Sequence, residues 1–194
     1  MFLNTDTMLD KDVSAYTLSK RQFREWLQSS SRSILGVNVA LEHFFGPGDD
    51  PTKFVSDVIS NLVIGVPSIA LTTGIQRRDF VYVDDVVDAI ISILGHVEHG
   101  SDGYIEYEVG SGISVSVRDF VKMAREMSGS ASTFLDFGAV PFRRNEPMDV
   151  RADVSRLRAL GWSPRWSLRA ALEETIRVEK LKLTRESQLE VACG

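Results

Sequence analysis

The stretch from Ile34 to Leu41 constrains the fold of this chain more than any other. It is an apolar run rich in β-branched residues, ILGVNVAL. A strand that carries apolar side chains on both faces is buried on both sides, which is typical of a parallel sheet covered by helices. The run therefore predicts an α/β fold with this strand in the interior.

The segment before that strand predicts a helix from Ala15 to Leu27. Tyr16 and Lys20 are four residues apart, which places both side chains on one face of a helix. A free tyrosine titrates near ~10, and a lysine charge beside a phenol favours its ionised form. Such a pair can exchange protons with a ligand. The alternative is an ordinary amphipathic helix, on which tyrosine and lysine at this spacing are common.

A hydroxyl group precedes this helix. Thr5 follows the apolar start Met1 to Leu3, which predicts the end of a strand. A hydroxyl at that place could hold a substrate oxygen against the phenol of Tyr16. The sequence thus groups a threonine, a tyrosine and a lysine as candidates for one site.

These two motifs, T-D at Thr5 and Y-x-x-x-K from Tyr16, resemble the extended short-chain dehydrogenase/reductase family. Its members are NAD(P)-dependent sugar-nucleotide epimerases, dehydratases and reductases. The segments GPG, RDFVYVDDV, GSG and LGWSP follow in the family's order, so that the resemblance covers Asn4 to about Ile176. It implies Thr5, Tyr16 and Lys20 as catalytic residues, with Tyr16 and Lys20 also binding the cofactor.

The resemblance implies three residues that bind substrate. His43 stands where many relatives carry an asparagine near the phosphate region of the substrate, and a plain turn with a surface histidine is the alternative. Arg78 matches an arginine that contacts the nucleotide diphosphate, and a surface ion pair with Asp79 is the alternative. Arg143 matches a second phosphate-binding arginine, and whether Arg144 competes for that role stays open.

The resemblance also narrows the chemistry. In the dehydratases of the family a glutamate usually follows the T-D pair, and here Thr7, a poor acid or base, disfavours dehydration. The segment LEHFFGPGDDPTKF is most similar to the CDP-3,6-dideoxyhexose 4-ketoreductases of the abequose/paratose synthase type. This implies reduction of a 4-keto nucleotide sugar at C4, with epimerisation as the alternative. A non-catalytic remnant that binds a sugar nucleotide or a partner subunit is the alternative of another class.

The fold implied by the resemblance is α/β: the C-terminal part of a doubly wound Rossmann-type parallel sheet plus a small α/β substrate-binding domain. We expect residues 1–50 in the Rossmann part with interleaved substrate-domain segments after it, 51–180 mainly in the substrate-binding part, and 181–194 as a charged tail. The cofactor implied is NAD or NADP, but the sequence lacks the G-x-G-x-x-G motif that binds it. We therefore expect an N-terminally truncated chain that is inactive alone, with an unpaired edge on the strand Ile34 to Leu41.

Composition argues against several other classes. The net charge of −5 without a basic run argues against nucleic acid as a partner. No apolar run approaches the ~18 residues of a membrane span. Cys193 is the only cysteine, which excludes an internal disulfide and favours a reducing cytoplasm. His96 and His99 have no further cluster of ligands around them, so we expect no metal site, and the resemblance implies a homodimer.

The remaining segments predict the other elements. We expect a helix from Pro51 to Ile64 that ends at Gly65, and a helix from Val86 to Leu94 that Asp84 or Asp85 caps. The other expected elements are strands at Ser68–Leu71, Phe80–Val83, Tyr104–Val109 and Thr133–Phe137, helices at Val115–Met127 and Ser155–Leu160, and a last helix from Leu168 that frays after Glu179.

Overall fold

The structure is a computed structural model that describes residues 1–7, 14–96 and 103–193. The strands are β1 (Phe2–Thr7), β2 (Leu35–Leu41), β3 (His43–Phe45), β4 (Ser68–Leu71), β5 (Arg77–Arg78), β6 (Phe80–Tyr82), β7 (Gly103–Val109), β8 (Val115–Ser116) and β9 (Phe134–Phe137). The helices are α1 (Ala15–Ser30), α2 (Phe54–Ile64), α3 (Val83–His96), α4 (Val117–Ser128), α5 (Ser155–Ala159) and α6 (Leu168–Cys193).

The predicted interior strand is the centre of a parallel sheet with the order β1-β2-β7. All residues of β2 before Leu41 are buried. The expectation of an unpaired edge on this strand is wrong, because β1 pairs along one side of it and β7 along the other. The partner β7 lies far along the chain, and a parallel pair always needs such a crossover. The parallel strands and intervening helices confirm the α/β class.

Packing divides the chain into two compact units, each built from three segments. The first unit contains Met1–Phe44, Gln76–Val115 and Phe142–Arg165, and the second contains Phe45–Ile75, Ser116–Pro141 and Trp166–Gly194. All six residues predicted for the site belong to the first unit. The division into a Rossmann part at 1–50 and a substrate-binding part at 51–180 stays a prediction, because the units are defined by packing and not by what they bind.

The core of the first unit forms on one face of the sheet. Leu35, Val37 and Val39 alternate along β2 and so point to the same side, where they pack against α3, α5 and Trp162 of the LGWSP segment. Removing such side chains from water contributes roughly 1.5–3 kcal/mol each. The other core residues are Val81, Val86, Ala89, Ile93, Tyr107, Val109, Ala152, Val154 and Leu157.

The second unit is built mainly from helices. Helices α2, α4 and α6 pack against one another, and β4 pairs with β9 in parallel. Phe45 and Phe120, both almost fully buried, meet edge to face with ring centroids 5.9 Å apart. The predicted strand Ser68–Leu71 is confirmed as β4.

Three predicted helix starts, those of α2, α3 and α4, differ from the structure. Helix α4 begins at Val117 and not at Val115, because the Ser116 hydroxyl accepts the N–H of Asp119 and caps the helix. Helix α2 begins at Phe54 and not at Pro51, because the Asp50 carboxylate accepts the Thr52 N–H at 2.8 Å and holds a turn there. Its predicted end at Gly65 is confirmed, with that glycine left-handed at φ 79°. Helix α3 begins three residues before the predicted Val86.

That earlier start of α3 places Asp84 and Asp85 inside its first turn, so neither is its cap. Asp85 instead accepts the backbone N–H of Arg165 at 2.8 Å. The last helix, α6, starts at Leu168 as predicted, and it continues to Cys193 instead of fraying after Glu179. Charged residues do not predict burial in a core, but they can still extend a helix that has already formed.

Candidate functional site

The tyrosine and the lysine of the Y-x-x-x-K motif lie on α1, whose start is set by a capping box. The Ser14 hydroxyl accepts the N–H of Thr17 at 3.2 Å, and the Thr17 hydroxyl accepts the N–H of Ser14 at 3.1 Å. The helix therefore begins at Ala15, with Tyr16 in its first turn and Lys20 in its second. The predicted helix is confirmed.

Tyr16 and Lys20 face the same space. The Lys20 ammonium lies 5.8 Å from the centroid of the Tyr16 ring, within the range of a cation–π contact. Tyr16 is 62% exposed, so a ligand can reach its hydroxyl. The structure brings together the two groups that the sequence places four apart, and their catalytic and cofactor-binding roles stay predictions.

Thr5 lies inside β1, because this strand continues to Thr7 and does not end near Leu3. The Lys20 Nζ donates a hydrogen bond to the backbone oxygen of Thr5 at 3.0 Å. Among the residues that the structure describes, no hydrogen bond joins the Thr5 hydroxyl to Tyr16. The strand and the helix are therefore linked through the lysine, and the exposed Thr5 side chain stays available to a ligand.

His43 lies in β3, just after the carboxyl end of β2, so it is not part of a plain turn. Its Nδ1 is 3.0 Å from Oε2 of Glu42, and its ring packs edge-on against Phe80 with centroids 6.0 Å apart. The Glu42 side chain is 1% exposed and that of His43 is 34% exposed. A buried carboxylate thus orients the imidazole, and part of the ring faces solvent. Its contact with substrate stays a prediction.

Arg78 is buried, with 4% of its surface exposed. Its guanidinium donates to the carbonyl of Arg77 at 2.7 Å and to the carboxylate of Glu146. The alternative of a surface ion pair with Asp79 is wrong, because Arg78 is buried and the carboxylate that it contacts is that of Glu146. A phosphate that reached this guanidinium would have to share it with Glu146 or replace that carboxylate.

The segment that carries Glu146 is tied to β5 by its backbone. The N–H of Arg77 donates to the carbonyl of Met148 at 2.8 Å, and the N–H of Val150 donates to the carbonyl of Arg77 at 3.2 Å. These bonds and the Arg78–Glu146 ion pair bring together two segments that are distant in the sequence. The two arginines predicted to bind phosphate therefore belong to connected segments.

Arg143 and Arg144 are both exposed, at the turn before Glu146. Asn145 has a φ of 59°, the left-handed region that asparagine tolerates better than most residues. An asparagine at this position therefore fits the backbone of the turn. Both guanidinium groups are therefore accessible to a phosphate.

Asp79 organises the loops of the first unit, although sequence reasoning assigned it no function. Its carboxylate is fully buried and accepts the N–H groups of Ser111 at 2.7 Å, Gly112 at 2.9 Å and Ala152 at 3.1 Å. A Cβ added to Gly110 would lie 2.5 Å from Asp79 Oδ2, so this position requires glycine. The GSG turn thus binds a carboxylate of the chain itself. The sequence feature that could have indicated this role is an aspartate at the start of the otherwise apolar segment DFVYV.

Glu108 lies half-buried on β7 near other acidic groups. Burial, and then the charges of Asp153, Glu106 and Glu42, raise the pKa of Glu108, against the lowering effect of the Asp153 N–H that its carboxylate accepts at 2.6 Å. At neutral pH the folded state therefore holds an unfavourable charge at this position.

Replacing Glu108 with glutamine is expected to raise the melting temperature at pH 7, because the amide keeps an acceptor for the Asp153 N–H and removes the charge. A carboxyl group with a raised folded-state pKa weakens stability as the pH rises from its unfolded pKa, near ~4.3, through its folded pKa. The gain should therefore shrink toward pH 4. Calorimetry at both pH values measures it, with the exposed Glu25→Gln as control. An equal gain at both pH values would contradict the electrostatic cause.

Neither a metal centre nor a membrane span is found in the part of the chain that the structure describes. No group of three or more histidine, cysteine, aspartate or glutamate residues there could hold a metal ion. His96 ends α3, whereas Glu98 and His99 lie outside the described residues. None of the described helices is both long enough and apolar enough to cross a bilayer.

Comparison with curated proteins gives a similarity along most of the chain. CDP-abequose synthase of Salmonella typhimurium (strain LT2) is 37% identical over 186 residues, which are 91% of this chain and 62% of that protein. CDP-abequose synthase of Salmonella muenchen is 30% identical over 188 residues, covering 92% of this chain and 63% of that protein. The chain thus spans a little under two thirds of the length of these relatives.

A similar fold is found among solved structures. UDP-glucuronic acid 4-epimerase from Bacillus cereus, in complex with UDP-glucuronic acid and NAD, superposes with a TM-score of 0.80 at 23% identity, over 93% of this chain and 62% of that one. The likeness confirms the Rossmann-type fold. Residues 3–110 also match the sequence pattern of the NAD dependent epimerase/dehydratase family. On this match and on the identity to the curated relatives, the chain belongs to the NAD dependent epimerase/dehydratase family.

Proposed function

We propose that the whole protein reduces a 4-keto nucleotide sugar at C4 and uses NAD or NADP. The observation that carries the proposal is the geometry of α1, where the Lys20 ammonium lies 5.8 Å from the centroid of the exposed Tyr16 ring. The identity of 37% to a CDP-abequose synthase supports a CDP-linked sugar as the substrate. Thr7 in the place of a glutamate supports reduction over dehydration.

The residues of α1 fit a nicotinamide cofactor. Tyr16 is exposed and Lys20 is partly exposed, and hydroxyl and ammonium groups are the donors that a ribose diol needs. Tyr16 and Lys20 would therefore hold the nicotinamide ribose. When bound, the nicotinamide supplies a hydride to carbon C4 of the sugar.

Tyr16, Thr5 and Lys20 would carry out the proton transfer. Tyr16 gives its phenolic proton to the C4 oxygen, which turns the ketone into an alcohol once the carbon has received a hydride. Thr5 donates a hydrogen bond to the same oxygen and orients it. The Lys20 ammonium stabilises the phenolate that Tyr16 becomes. Arg78 and Arg143 hold the diphosphate of the substrate, and His43 contacts its phosphate region.

A turnover assay on the whole protein tests the proposal. We expect a CDP-4-keto-sugar to consume NADPH or NADH in equal amount, followed by the cofactor's absorbance, with an alcohol formed at C4. Interconversion of C4 epimers without net consumption of cofactor would instead make the protein an epimerase. Binding of the sugar nucleotide without turnover would favour a non-catalytic role.

The phosphate clamp can be tested by binding alone. We expect Arg143→Ala to weaken the binding of CDP by roughly 1.5–3 kcal/mol, the contribution of hydrogen bonds to charged groups. Arg143 is exposed, so its removal should leave the fold intact. Titration calorimetry with CDP and with UDP measures the dissociation constant.

Arg144→Ala is the matched control, because this arginine is adjacent and also exposed. Equal affinity in the parent and in Arg143→Ala, with a loss in Arg144→Ala, would move the role to Arg144. The same titration on Arg78→Ala tests the second arginine, although that change also removes the partner of Glu146. A homodimer is part of the proposal, and light scattering on the purified protein decides it.

A further inference from the structure

The face of the sheet that α1 covers carries a group of polar side chains. Asn4, Asn38 and Glu106 lie side by side across the strands, because the register pairs Asn4 with Asn38 and Asn38 with Glu106. Asp6 is on the same face, two residues after Asn4. Helix α1 packs on all three strands, and Leu27 lies against Gly36 of this face. The covered face of a parallel sheet is normally apolar, so these polar side chains require an explanation.

Hydrogen bonds connect the side chains of this face on β1 and β2. Asn4 Nδ2 donates to Asn38 Oδ1 at 2.8 Å, and Asn38 Nδ2 lies 3.5 Å from Asp6 Oδ2. Asn38 is fully buried and the Asp6 side chain is 2% exposed. A carboxylate this deeply buried is costly unless a cation and hydrogen-bond donors surround it.

Arg24 of α1 supplies that cation. Its Nη1 lies 3.2 Å from Asp6 Oδ2 and 3.7 Å from Glu106 Oε1, so one guanidinium faces carboxylates on β1 and β7. The hydroxyl of Tyr104 donates to Glu106 Oε2 at 2.6 Å. Burial, and then Glu106, raise the pKa of Tyr104 well above its ordinary value, which keeps this hydroxyl a donor.

Arg24 and Lys20 attach α1 to neighbouring points of one strand. The two residues are one helical turn apart and so lie on one face of the helix. Lys20 reaches the carbonyl of Thr5 at 3.0 Å, and Arg24 reaches the side chain of Asp6. A shift of α1 along β1 would break the ion pair of Arg24 and would leave the Asp6 carboxylate buried without it.

We propose that Arg24 is a positioning residue that holds α1 on β1 in the register in which Lys20 reaches Thr5 and faces Tyr16. The benefit of a fixed register rests on the proposed function, since this register places the three predicted catalytic residues. The ion pair between Arg24 and Asp6 is what fixes the register. In this proposal the guanidinium affects the reaction through the position of Lys20, and it does not contact the substrate.

Competitive acetylation of lysines in the folded chain, quantified by mass spectrometry, tests this. Lys53 of the second unit, which pairs with Asp49 at 2.7 Å, is the internal reference. In Arg24→Met we expect Lys20 to react about threefold faster or more relative to Lys53, the size of effect that the loss of one hydrogen bond can produce. General unfolding would raise both reactivities, whereas a shift of α1 raises that of Lys20 alone.

Arg21→Met is the matched control, because Arg21 lies on the same helix and pairs with Glu25 at the surface, where their side chains are 37% and 57% exposed. We expect it to leave the Lys20 to Lys53 ratio unchanged, and Arg24→Lys to restore part of the parent ratio. An unchanged ratio in a folded Arg24→Met variant overturns the proposal.

If Arg24→Met does not fold, the double variant Asp6→Asn with Arg24→Met replaces it, because it removes the buried carboxylate together with the arginine that faces it. The same rise in the ratio is expected, and an unchanged ratio again overturns the proposal. The labelling needs no substrate or cofactor. Failure of this experiment therefore leaves the proposed reductase activity untouched, and failure of the turnover assay leaves the positioning result untouched.

Discussion

Replacing Tyr16 with phenylalanine is expected to lower turnover of the whole protein by about 100-fold or more, the usual loss when a general acid is removed. The ring remains, so its contact with the Lys20 ammonium persists, and only the transferable proton is lost. Because the side chain is 62% exposed, the melting temperature should change little. Steady-state kinetics with a 4-keto nucleotide sugar, together with thermal denaturation, measure both quantities.

Ser19→Ala is the control for that change, since it removes a hydroxyl from the same helix. The Ser19 hydroxyl donates to the carbonyl of Tyr16 at 2.8 Å, so its loss perturbs the backbone beside Tyr16 without removing the phenol. We expect close to parent turnover. Unchanged turnover in Tyr16→Phe would remove the tyrosine from the mechanism, and an equal loss in both variants would point to the helix backbone.

Replacing Asp79 with alanine is expected to cost at least about 3 kcal/mol of unfolding free energy, because each buried N–H left without an acceptor costs roughly 1–3 kcal/mol. Three backbone N–H groups, from Ser111, Gly112 and Ala152, lose their acceptor in this variant. That loss is a large fraction of the ~5–15 kcal/mol that stabilises an ordinary domain. Urea denaturation followed by circular dichroism measures it.

Asp84→Ala is the matched control, since this aspartate is exposed on the first turn of α3. Its loss should cost ~0.3–1 kcal/mol, the contribution of a carboxylate near a helix N-terminus. Gly110→Ala should also destabilise strongly, because the added Cβ would lie 2.5 Å from Asp79 Oδ2. Similar small losses in Asp79→Ala and Asp84→Ala would show that the buried carboxylate does not hold the loops.

Local patterns determined much of the fold. The apolar run that became β2 was identified because burial on both faces leaves a continuous signal in the sequence. The predicted helix from Ala15 to Leu27 is confirmed as α1, which continues to Ser30. The end of α2 was identified from Gly65, whose left-handed conformation favours glycine. The first residues of α2 and α3 were missed, because a side chain near a helix start can hold either a turn or the first helical N–H groups.

The sequence by itself also placed Tyr16 and Lys20 on one helix face, because spacing of four residues is a local property. Only the tertiary structure decided which side chains from distant segments contact one another. Arg78 faces Glu146 and not its neighbour Asp79, and the Asp79 carboxylate binds a turn and a loop that follow much later. Neighbours in the sequence can have partners in different segments, so the alternative of an ion pair between Arg78 and Asp79 was wrong. Partners across loops depend on the packing of the whole unit, which leaves no periodic signal in the chain.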